Sequence, residues 1–229
     1  MEKLGTNYGG WYIPKNITLN ADSIVYSGGV GEDISFDLLL SDKYDCNIVL
    51  IDPTKKAIQH YDEVQNYYKT KQWKFAGDIQ RDYNKHIGNL HPNFNKISYL
   101  DVGLWREKTK LKFYKQTNPT YVSQSLIKEM FGTDFYEVDV DSIKNIMKEN
   151  NHDNIDLLKL DIEGAEIEVL NNMIDDEIYP KYLCVEFDLL IQNKDKSNET
   201  PKVVNRLQNA GYKILFKDND NITFKKYNY

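Results

Sequence analysis

The sequence predicts an α/β fold whose mostly parallel, doubly wound sheet ends in a C-terminal antiparallel hairpin. Short β-branched and apolar runs alternate with helical patterns from residue 23 almost to the end of the chain. Several runs are apolar at successive positions, as expected of parallel strands covered on both faces. The last two runs are separated by four polar residues, a connection so short that the strands can only pair antiparallel.

The elements follow one another as strand, helix and strand, which implies right-handed crossovers. After Pro53, a suitable first-turn residue, one helix has Ala57, Tyr61, Val64 and Tyr68 on its apolar stripe, and His60 on another face is expected to be solvated. Other helices are predicted at 141–150, 165–173 and near 203–209. The predicted strands are 23–27, 47–51, 96–102, 135–140, 155–160 and 182–187, followed by the hairpin strands 212–216 and 221–227.

Composition indicates a soluble, cytoplasmic protein. The chain has 229 residues, 41% hydrophobic and 28% charged, and a formal net charge of −6. No apolar run approaches the length of a membrane span, and the acidic balance argues against nucleic acid as a partner. Cys46 and Cys184 have no metal-binding spacing and are expected to be reduced and buried. We expect residues 1–22 to pack as an N-terminal extension on a single domain, residues 23–229.

The stretch "SGGVGED" ends the first predicted strand and opens a helical pattern, with Gly28, Gly29 and Gly31 close together. Glycines there allow a ligand to approach the backbone closely. Asp33 stands where dinucleotide-binding turns often have a third glycine, and a carboxylate at a helix start repels phosphate. A ligand with positive centres, such as S-adenosylmethionine, suits the turn better. A tight turn with Asp33 stabilising the helix dipole is the alternative.

Asp52 ends the second predicted strand about twenty residues after the glycines, the spacing of an acid that binds ribose hydroxyls. The alternative is that Asp52 caps the following helix. The glycines and Asp52 together indicate an adenosine-containing cofactor, and they do not choose between NAD and S-adenosylmethionine.

"DLLKLDIEGAEIEVL" at 156–170 resembles the FkbM-type methyltransferases, a branch of the class I S-adenosylmethionine-dependent enzymes with a Rossmann-like sheet. "SIVYSGGVGEDISFD", "LIDPT", "GLW" and "YLCVEFD" are similar to the family's other blocks in the same order, so the resemblance covers roughly residues 8 to 190. It implies methyl transfer to oxygen, often on a sugar or a secondary metabolite.

The resemblance also implies roles for individual residues. The glycine turn, with Gly29 and Gly31, would line the methionine part of the cofactor. Asp52 would hold the ribose, and Gly103 and Leu104 would lie beside the adenine. Gly28 and Asp33 are counted with this cofactor-binding group. Asp161 would face the transferring methyl group.

Glu186 would border the same pocket, after the next strand. Two positions depart from the family pattern. Ser27 stands where the family often has an acidic residue, two positions before the first motif glycine, and this affects how the cofactor's ammonium group is bound. Asp188 stands where related sequences often have histidine.

A sugar hydroxyl is weakly acidic, so a base should remove its proton as the new bond forms. Asp161 is the first candidate for this base and Glu186 the second. Glu163 and Glu166 follow at a predicted helix start, where carboxylates also stabilise the helix. Asp161, Glu163 and Glu186 could instead bind a divalent cation, and spacing does not choose between metal and base. We predict no metal site.

Glu163, Asp188 and Trp11 are the candidate substrate-binding residues, with Trp11 either stacking on a sugar ring or covering the sheet edge. Ser123 and Ser125, in a segment similar to the family's, could reach the cofactor. The histidines show no ligand spacing.

We therefore predict an O-methyltransferase that uses S-adenosylmethionine and a small-molecule or glycan acceptor, without nucleic acid or membrane. The alternatives are an NAD-dependent oxidoreductase or epimerase and a non-catalytic binding protein of the same fold. Ser27 and Asp188 keep the second alternative open.

Overall fold

A seven-stranded sheet forms the centre of the structure, a computed structural model that describes residues 1–77, 79–115, 124–125, 134–188 and 198–227. Its strands are β3 Ile24–Gly28, β4 Asn47–Ile51, β5 Ile97–Leu100, β10 Leu157–Leu160, β11 Tyr182–Glu186, β12 Tyr212–Asp218 and β13 Asn221–Lys226. They run in the spatial order β12-β13-β11-β10-β3-β4-β5. The predicted α/β fold with a mostly parallel sheet is confirmed.

The C-terminal hairpin closes one side of this sheet as predicted. β12 pairs antiparallel with β13, and β13 inserts beside β11, also antiparallel. The helix before it, Glu199–Asn209, ends ahead of Gly211, whose φ of +94° suits a residue without a side chain. The short polar connection between β12 and β13 leaves the chain no room for a parallel crossover.

The order of the strands reverses between β3 and β10, which are parallel neighbours although they are far apart in sequence. β3 is followed by β4 on one side, whereas β10 is followed by β11 on the other. In open α/β sheets, ligands bind beyond the carboxyl ends of the strands at such a reversal. The register pairs Leu160 with both Gly28 and Val185, so these three strands end at nearly the same level.

Helices cover both faces of the sheet. They are α1 Ser35–Tyr44, α2 Lys55–Thr70, α3 Tyr83–Ile87, α4 Ile143–Glu149, α5 Glu166–Asp175 and α6 Glu199–Asn209, with a 3₁₀ helix at Phe94–Lys96. Thr54 caps α2 by accepting a hydrogen bond from the Ala57 amide, and Ser142 caps α4 in the same way. Pro53 therefore lies just before the cap of α2 and not in its first turn.

The helix face predicted to be solvated is instead covered. His60 is 1% exposed, and its Nε2 lies 2.9 Å from the Tyr83 hydroxyl group. Tyr67, rather than Tyr68, is the buried tyrosine at the end of the same helix. The prediction for His60 was wrong because Phe75 and Tyr83, from later in the chain, pack over it at ring distances of 5.6 and 5.4 Å.

The run at 135–140 is a strand, but it lies outside the central sheet. It forms β9 (Phe135–Asp141), which pairs antiparallel with β7 (Thr109–Lys115) in a second sheet of order β6-β9-β7-β8. β6 is Gly103–Leu104 and β8 is Gln124–Ser125. The buried positions Val138 and Val140 alternate with exposed ones, the pattern of a strand covered on one face only.

The first residues form a two-stranded sheet, β1 Glu2–Leu4 with β2 Trp11–Ile13. The ring of Tyr12 lies 4.4 Å from that of Phe216, and Thr223 donates a hydrogen bond to the Tyr12 carbonyl oxygen at 2.6 Å. The N-terminal residues thus reach the C-terminal hairpin.

Cys46 and Cys184 are buried and free. In the described ranges, no helix has the length and apolar character that crossing a membrane requires.

Candidate functional site

A cavity of about 470 Å³ lies at the carboxyl ends of β3, β4, β10 and β11, at the strand-order reversal. The chain segment at residues 7–11 covers one side of it, and β6 and Phe113 border another. Nearly every residue that the sequence predicted for the site lies on its wall. These residues are Trp11, Gly29, Gly31, Asp33, Asp52, Gly103, Leu104, Asp161, Glu163, Glu186 and Asp188.

The three glycines of the turn differ in what a side chain would contact at their positions. A Cβ on Gly29, whose φ is +70°, would overlap the carbonyl oxygen of Asp161. A Cβ on Gly28 would lie 2.7 Å from Leu104 Cδ1, the end of a side chain that can shift, so the packing requires glycine at Gly29 but not strictly at Gly28. Gly31 also has a left-handed φ, +52°, yet no atom lies within 4 Å of the Cβ position. Gly31 is therefore the glycine that opens the backbone towards the cavity.

Asp33 is 7% exposed, and both of its carboxylate oxygens accept hydrogen bonds from other residues of the protein. Oδ2 accepts a hydrogen bond from the Thr6 hydroxyl group at 2.5 Å, and Oδ1 accepts one from the Ser35 amide at 2.9 Å. The Thr6 hydroxyl oxygen in turn accepts from the amides of Tyr8 and Gly9. Asp33 thus fastens the N-terminal segment to the start of α1, and its contact with a cofactor stays a prediction.

Asp52 lies on the cavity wall at the end of β4 and is 5% exposed. Oδ2 accepts a hydrogen bond from the Gly31 amide at 3.0 Å, and Oδ1 accepts one from the Thr54 amide at 2.8 Å. Burial raises the pKa of Asp52 above its usual value, and the hydrogen bonds from Gly31 and Thr54 only partly oppose this rise. A carboxylate oxygen can accept more than one hydrogen bond, so ribose hydroxyl groups could still bind to Asp52.

Lys159 is a site residue that the sequence reading missed. It is 5% exposed in the middle of the central sheet, and its Nζ donates a hydrogen bond to the Gly29 carbonyl oxygen. The same Nζ lies 3.4 Å from Asp161 Oδ2 and 5.9 Å from the centre of the Trp11 ring. A lysine in the otherwise apolar run "LLKL" was the available signal, because a buried lysine is rare unless it is paired.

Asp161 and Glu186, the two candidate bases, both line the cavity but differ in surroundings. Lys159 stabilises a negative charge on Asp161, whose side chain is 30% exposed. Burial, and then the neighbouring charge of Asp161, raise the pKa of Glu186 well above its usual range, and Lys159 only partly opposes this.

Further carboxylates crowd the same end of the cavity. Burial raises the pKa of Asp188 strongly, and the charges of Glu163, Glu166, Asp161 and Glu186 add to the effect. Burial likewise raises the pKa of Glu166, which is 0% exposed, and the backbone amides of Glu166 and Gly164 only partly oppose this rise. Glu163 has a left-handed φ of +54° and precedes Gly164 at +97°, a sharp turn that places it on the wall.

The remaining predicted residues are placed as follows. Trp11 is 4% exposed and lines the cavity. Ser27 is fully buried below the turn, beside Asp37, whose pKa burial raises to about 6. Tyr8 and Asn221 are cavity residues that sequence reasoning did not find, and no local pattern marks them.

Ser123 lies outside the described residues, and of Ser125 only the backbone, in β8, is described. The His, Cys, Asp and Glu side chains of the described ranges form no cluster of three or more that could hold a metal ion.

Comparison with known proteins gives one family match. The sequence matches the family described as "Methyltransferase FkbM domain" over residues 36–214. No curated protein matches it. Among solved structures, it is similar to a crystal structure described as a "putative rRNA-methylase" from Clostridium thermocellum, with 7% sequence identity and a TM-score of 0.47. That similarity covers 93% of this chain and 90% of the other.

Proposed function

The chain belongs to the FkbM methyltransferase domain family, and we propose that it transfers a methyl group from S-adenosylmethionine to a hydroxyl group of an acceptor. The observation that carries the proposal is the cavity that joins the glycine turn, Asp52 and Asp161 at the strand-order reversal. Its volume of about 470 Å³ is within the roughly 300–1,000 Å³ usual for small-molecule sites.

The charge of the cavity supports a cationic cofactor. In the described part of the chain, seven acidic residues and one lysine line it, namely Glu32, Asp33, Asp52, Asp161, Glu163, Glu186, Asp188 and Lys159. This wall attracts the sulfonium and ammonium groups of S-adenosylmethionine, whereas it repels the pyrophosphate of NAD. The NAD-dependent alternative is therefore less favoured.

The residues present fit the parts of the cofactor. Gly31 leaves space beside the backbone for the methionine part, and Asp52 retains acceptor capacity for the ribose hydroxyl groups. Gly103 and Leu104 would border the adenine with a small, apolar surface. When bound, S-adenosylmethionine supplies an electrophilic methyl group.

Asp161 then has the role of general base. It lies on the cavity wall, and Lys159 favours its negative charge, so it can take the proton of the acceptor hydroxyl group. Burial and the charge of Asp161 raise the pKa of Glu186, which favours its protonated form, and the two side chains lie close enough to interact. Positioning of the acceptor on this wall supplies a further part of the rate enhancement.

We propose a small molecule or a glycan as the acceptor, bound without nucleic acid or membrane. A formal net charge of −6 and an acidic cavity both disfavour a polyanionic partner. The rings of Tyr8 and Trp11 offer apolar surface to a sugar ring or to a secondary metabolite of similar size.

Calorimetric titration with S-adenosylhomocysteine, with NAD in parallel, tests the proposal. We expect micromolar binding of S-adenosylhomocysteine and no binding of NAD. Transfer of a labelled methyl group to a panel of hydroxylated sugars and metabolites would then identify the acceptor. Binding of NAD alone would refute the proposal, and cofactor binding without transfer to any acceptor would favour the non-catalytic alternative.

A further inference from the structure

Four carboxylates lie on the cavity wall at and just beyond the ends of β10 and β11. We name Asp161, Glu163, Glu186 and Asp188 the acceptor-side carboxylates. Lys159 is the only lysine or arginine on the wall in the described ranges, and it lies 3.4 Å from Asp161. Carboxyl groups therefore outnumber cationic groups on the side of the cavity where the acceptor would bind.

Two residues of this wall, Asp188 and Asn221, each have a buried side-chain oxygen without a hydrogen-bond donor in the described residues, which is an observation independent of the charge. Asp188 is 5% exposed, and its Oδ2 is buried without a hydrogen-bond partner in the described residues. Asn221 in β13 pairs with Glu186 in β11, and its Oδ1 is also buried without a hydrogen-bond partner in the described residues. When Asp188 is ionised, both oxygens only accept hydrogen bonds, so a ligand that satisfies them must bring N–H or O–H donors.

The electrostatic surroundings indicate the sign of that ligand. Four neighbouring acidic groups act electrostatically on Asp188, namely Glu163 in the turn after β10, Glu166 at the start of α5, Asp161 after β10 and Glu186 in β11. Burial and these charges raise the pKa of Asp188 and of Glu186. An anionic acceptor would increase the repulsion, and a neutral one would leave it unchanged. A cation would stabilise the ionised carboxylates and lower their pKa values.

We propose that the acceptor carries a protonated amino group near the hydroxyl group that is methylated, and that Asp188 and Asn221 bind this ammonium among the acceptor-side carboxylates. The inference rests on the proposed function and names its substrate class, an amino alcohol such as an amino sugar. An ammonium group brings three donors and one positive charge, which are what the wall lacks.

The test compares matched pairs of probes on the protein saturated with S-adenosylhomocysteine. Each pair is a primary amine and its N-acetyl derivative: glucosamine with N-acetylglucosamine, galactosamine with N-acetylgalactosamine, and tyramine with N-acetyltyramine. We expect at least one amine to bind at least tenfold more tightly than its derivative. Calorimetry in buffers of different ionisation enthalpy should also show net proton release, because the bound cation lowers the carboxylate pKa values.

Two variants test whether Asp188 is responsible for the preference for the amine. Asp188→Asn keeps the shape of the side chain but removes its charge, and it should reduce the preference for the amine to less than threefold while S-adenosylhomocysteine still binds. Asp153→Asn removes a carboxylate from an exposed position and should change neither. Since the comparison in the unaltered protein needs no variant, poor folding of Asp188→Asn would not prevent the test.

Equal binding, or no binding, of every amine and its N-acetyl derivative would overturn the inference. So would an unchanged preference in a folded Asp188→Asn protein. These results are distinct from failure of the proposed function, in which S-adenosylhomocysteine itself would not bind at the start of the experiment.

Discussion

Asp161 and Glu186 lie in one cavity, and their neighbours give the two carboxylates different properties. The Lys159 ammonium group lies 3.4 Å from Asp161, whereas burial and the charge of Asp161 favour the protonated form of Glu186. Two nearby carboxyl groups in different environments, one beside a cation and one buried, are a frequent arrangement in acid–base catalysis. Asp161 is accordingly the better candidate for the base.

Replacing Asp161 by asparagine should abolish most turnover and leave cofactor affinity nearly unchanged. The amide cannot accept the hydroxyl proton, and loss of a general base lowers rates by roughly 10²–10⁴-fold. Single-turnover methyl transfer measures the first effect and calorimetry with S-adenosylhomocysteine the second, with Asp153→Asn as the surface control. Full activity of Asp161→Asn would remove Asp161 from the role of base.

Asp52 connects the turn after β3 to the start of α2 through the amides of Gly31 and Thr54. Asp52→Ala removes both contacts and the partner predicted for the ribose, so we expect affinity for S-adenosylhomocysteine to fall by about tenfold or more. Asp52→Asn, which keeps one acceptor oxygen, should have an intermediate affinity. An unchanged dissociation constant in folded Asp52→Ala would contradict the ribose assignment.

The turn between β3 and α1 is the element that sets the position of the site. Its backbone packs directly on the carbonyl group of Asp161, and Asp33 holds the N-terminal segment against the beginning of α1. The turn thus touches the end of β10 on one side and the cavity on the other, so it lies between the proposed cofactor region and the proposed base. Gly29 therefore serves the fold, and Gly31 leaves space for the proposed ligand.

Alanine substitutions should separate these two roles. Gly29→Ala places a methyl group on the Asp161 carbonyl oxygen and should prevent stable folding, whereas Gly31→Ala meets open space. The left-handed φ at Gly31 still costs roughly 1–2 kcal/mol, which corresponds to a melting temperature lower by about 2–8 °C. Thermal unfolding of the two variants measures the difference. Equal melting temperatures would show that the turn does not pack as described.

At the scale of the whole molecule, acidic groups gathered at one end of the sheet make stability depend on pH. Burial raises the pKa of Glu166, and of Glu186 and Asp188, far above the values of unfolded carboxyl groups. The folded state therefore favours their protonated forms. The contribution to stability is complete below the unfolded pKa of about 4 and decreases as the pH rises towards the folded pKa.

Glu166→Gln should remove part of this dependence. The amide has the same shape and no charge, so the variant should be more stable than the unaltered protein at pH 8 by about 1–3 kcal/mol, and nearly equal to it at pH 5. Chemical denaturation at the two pH values measures the effect. Glu168→Gln, on the same helix with its side chain 44% exposed, is the matched control. Equal stabilities of Glu166→Gln and the unaltered protein at pH 8 would contradict the assigned burial.

The sequence determined the parallel strands at 23–27, 47–51 and 182–187, the C-terminal hairpin and the acids that end β4, β10 and β11. These features depend on local spacing: continuous apolar runs mark strands covered on both faces, and a four-residue connection permits only an antiparallel pair. Strand ends carry the site because parallel strands bring their carboxyl ends to one edge. The motifs could therefore be placed before any contact was known.

Only the tertiary structure decided which residues meet across long stretches of chain. It pairs Lys159 with Gly29 and Asp161, binds Asp33 to Thr6, and covers His60 with Tyr83. It also moves the strand at 135–141 into a second sheet. The physical reason is that burial and hydrogen-bond partners come from segments remote in sequence, whereas local periodicity reports only which face of an element is apolar.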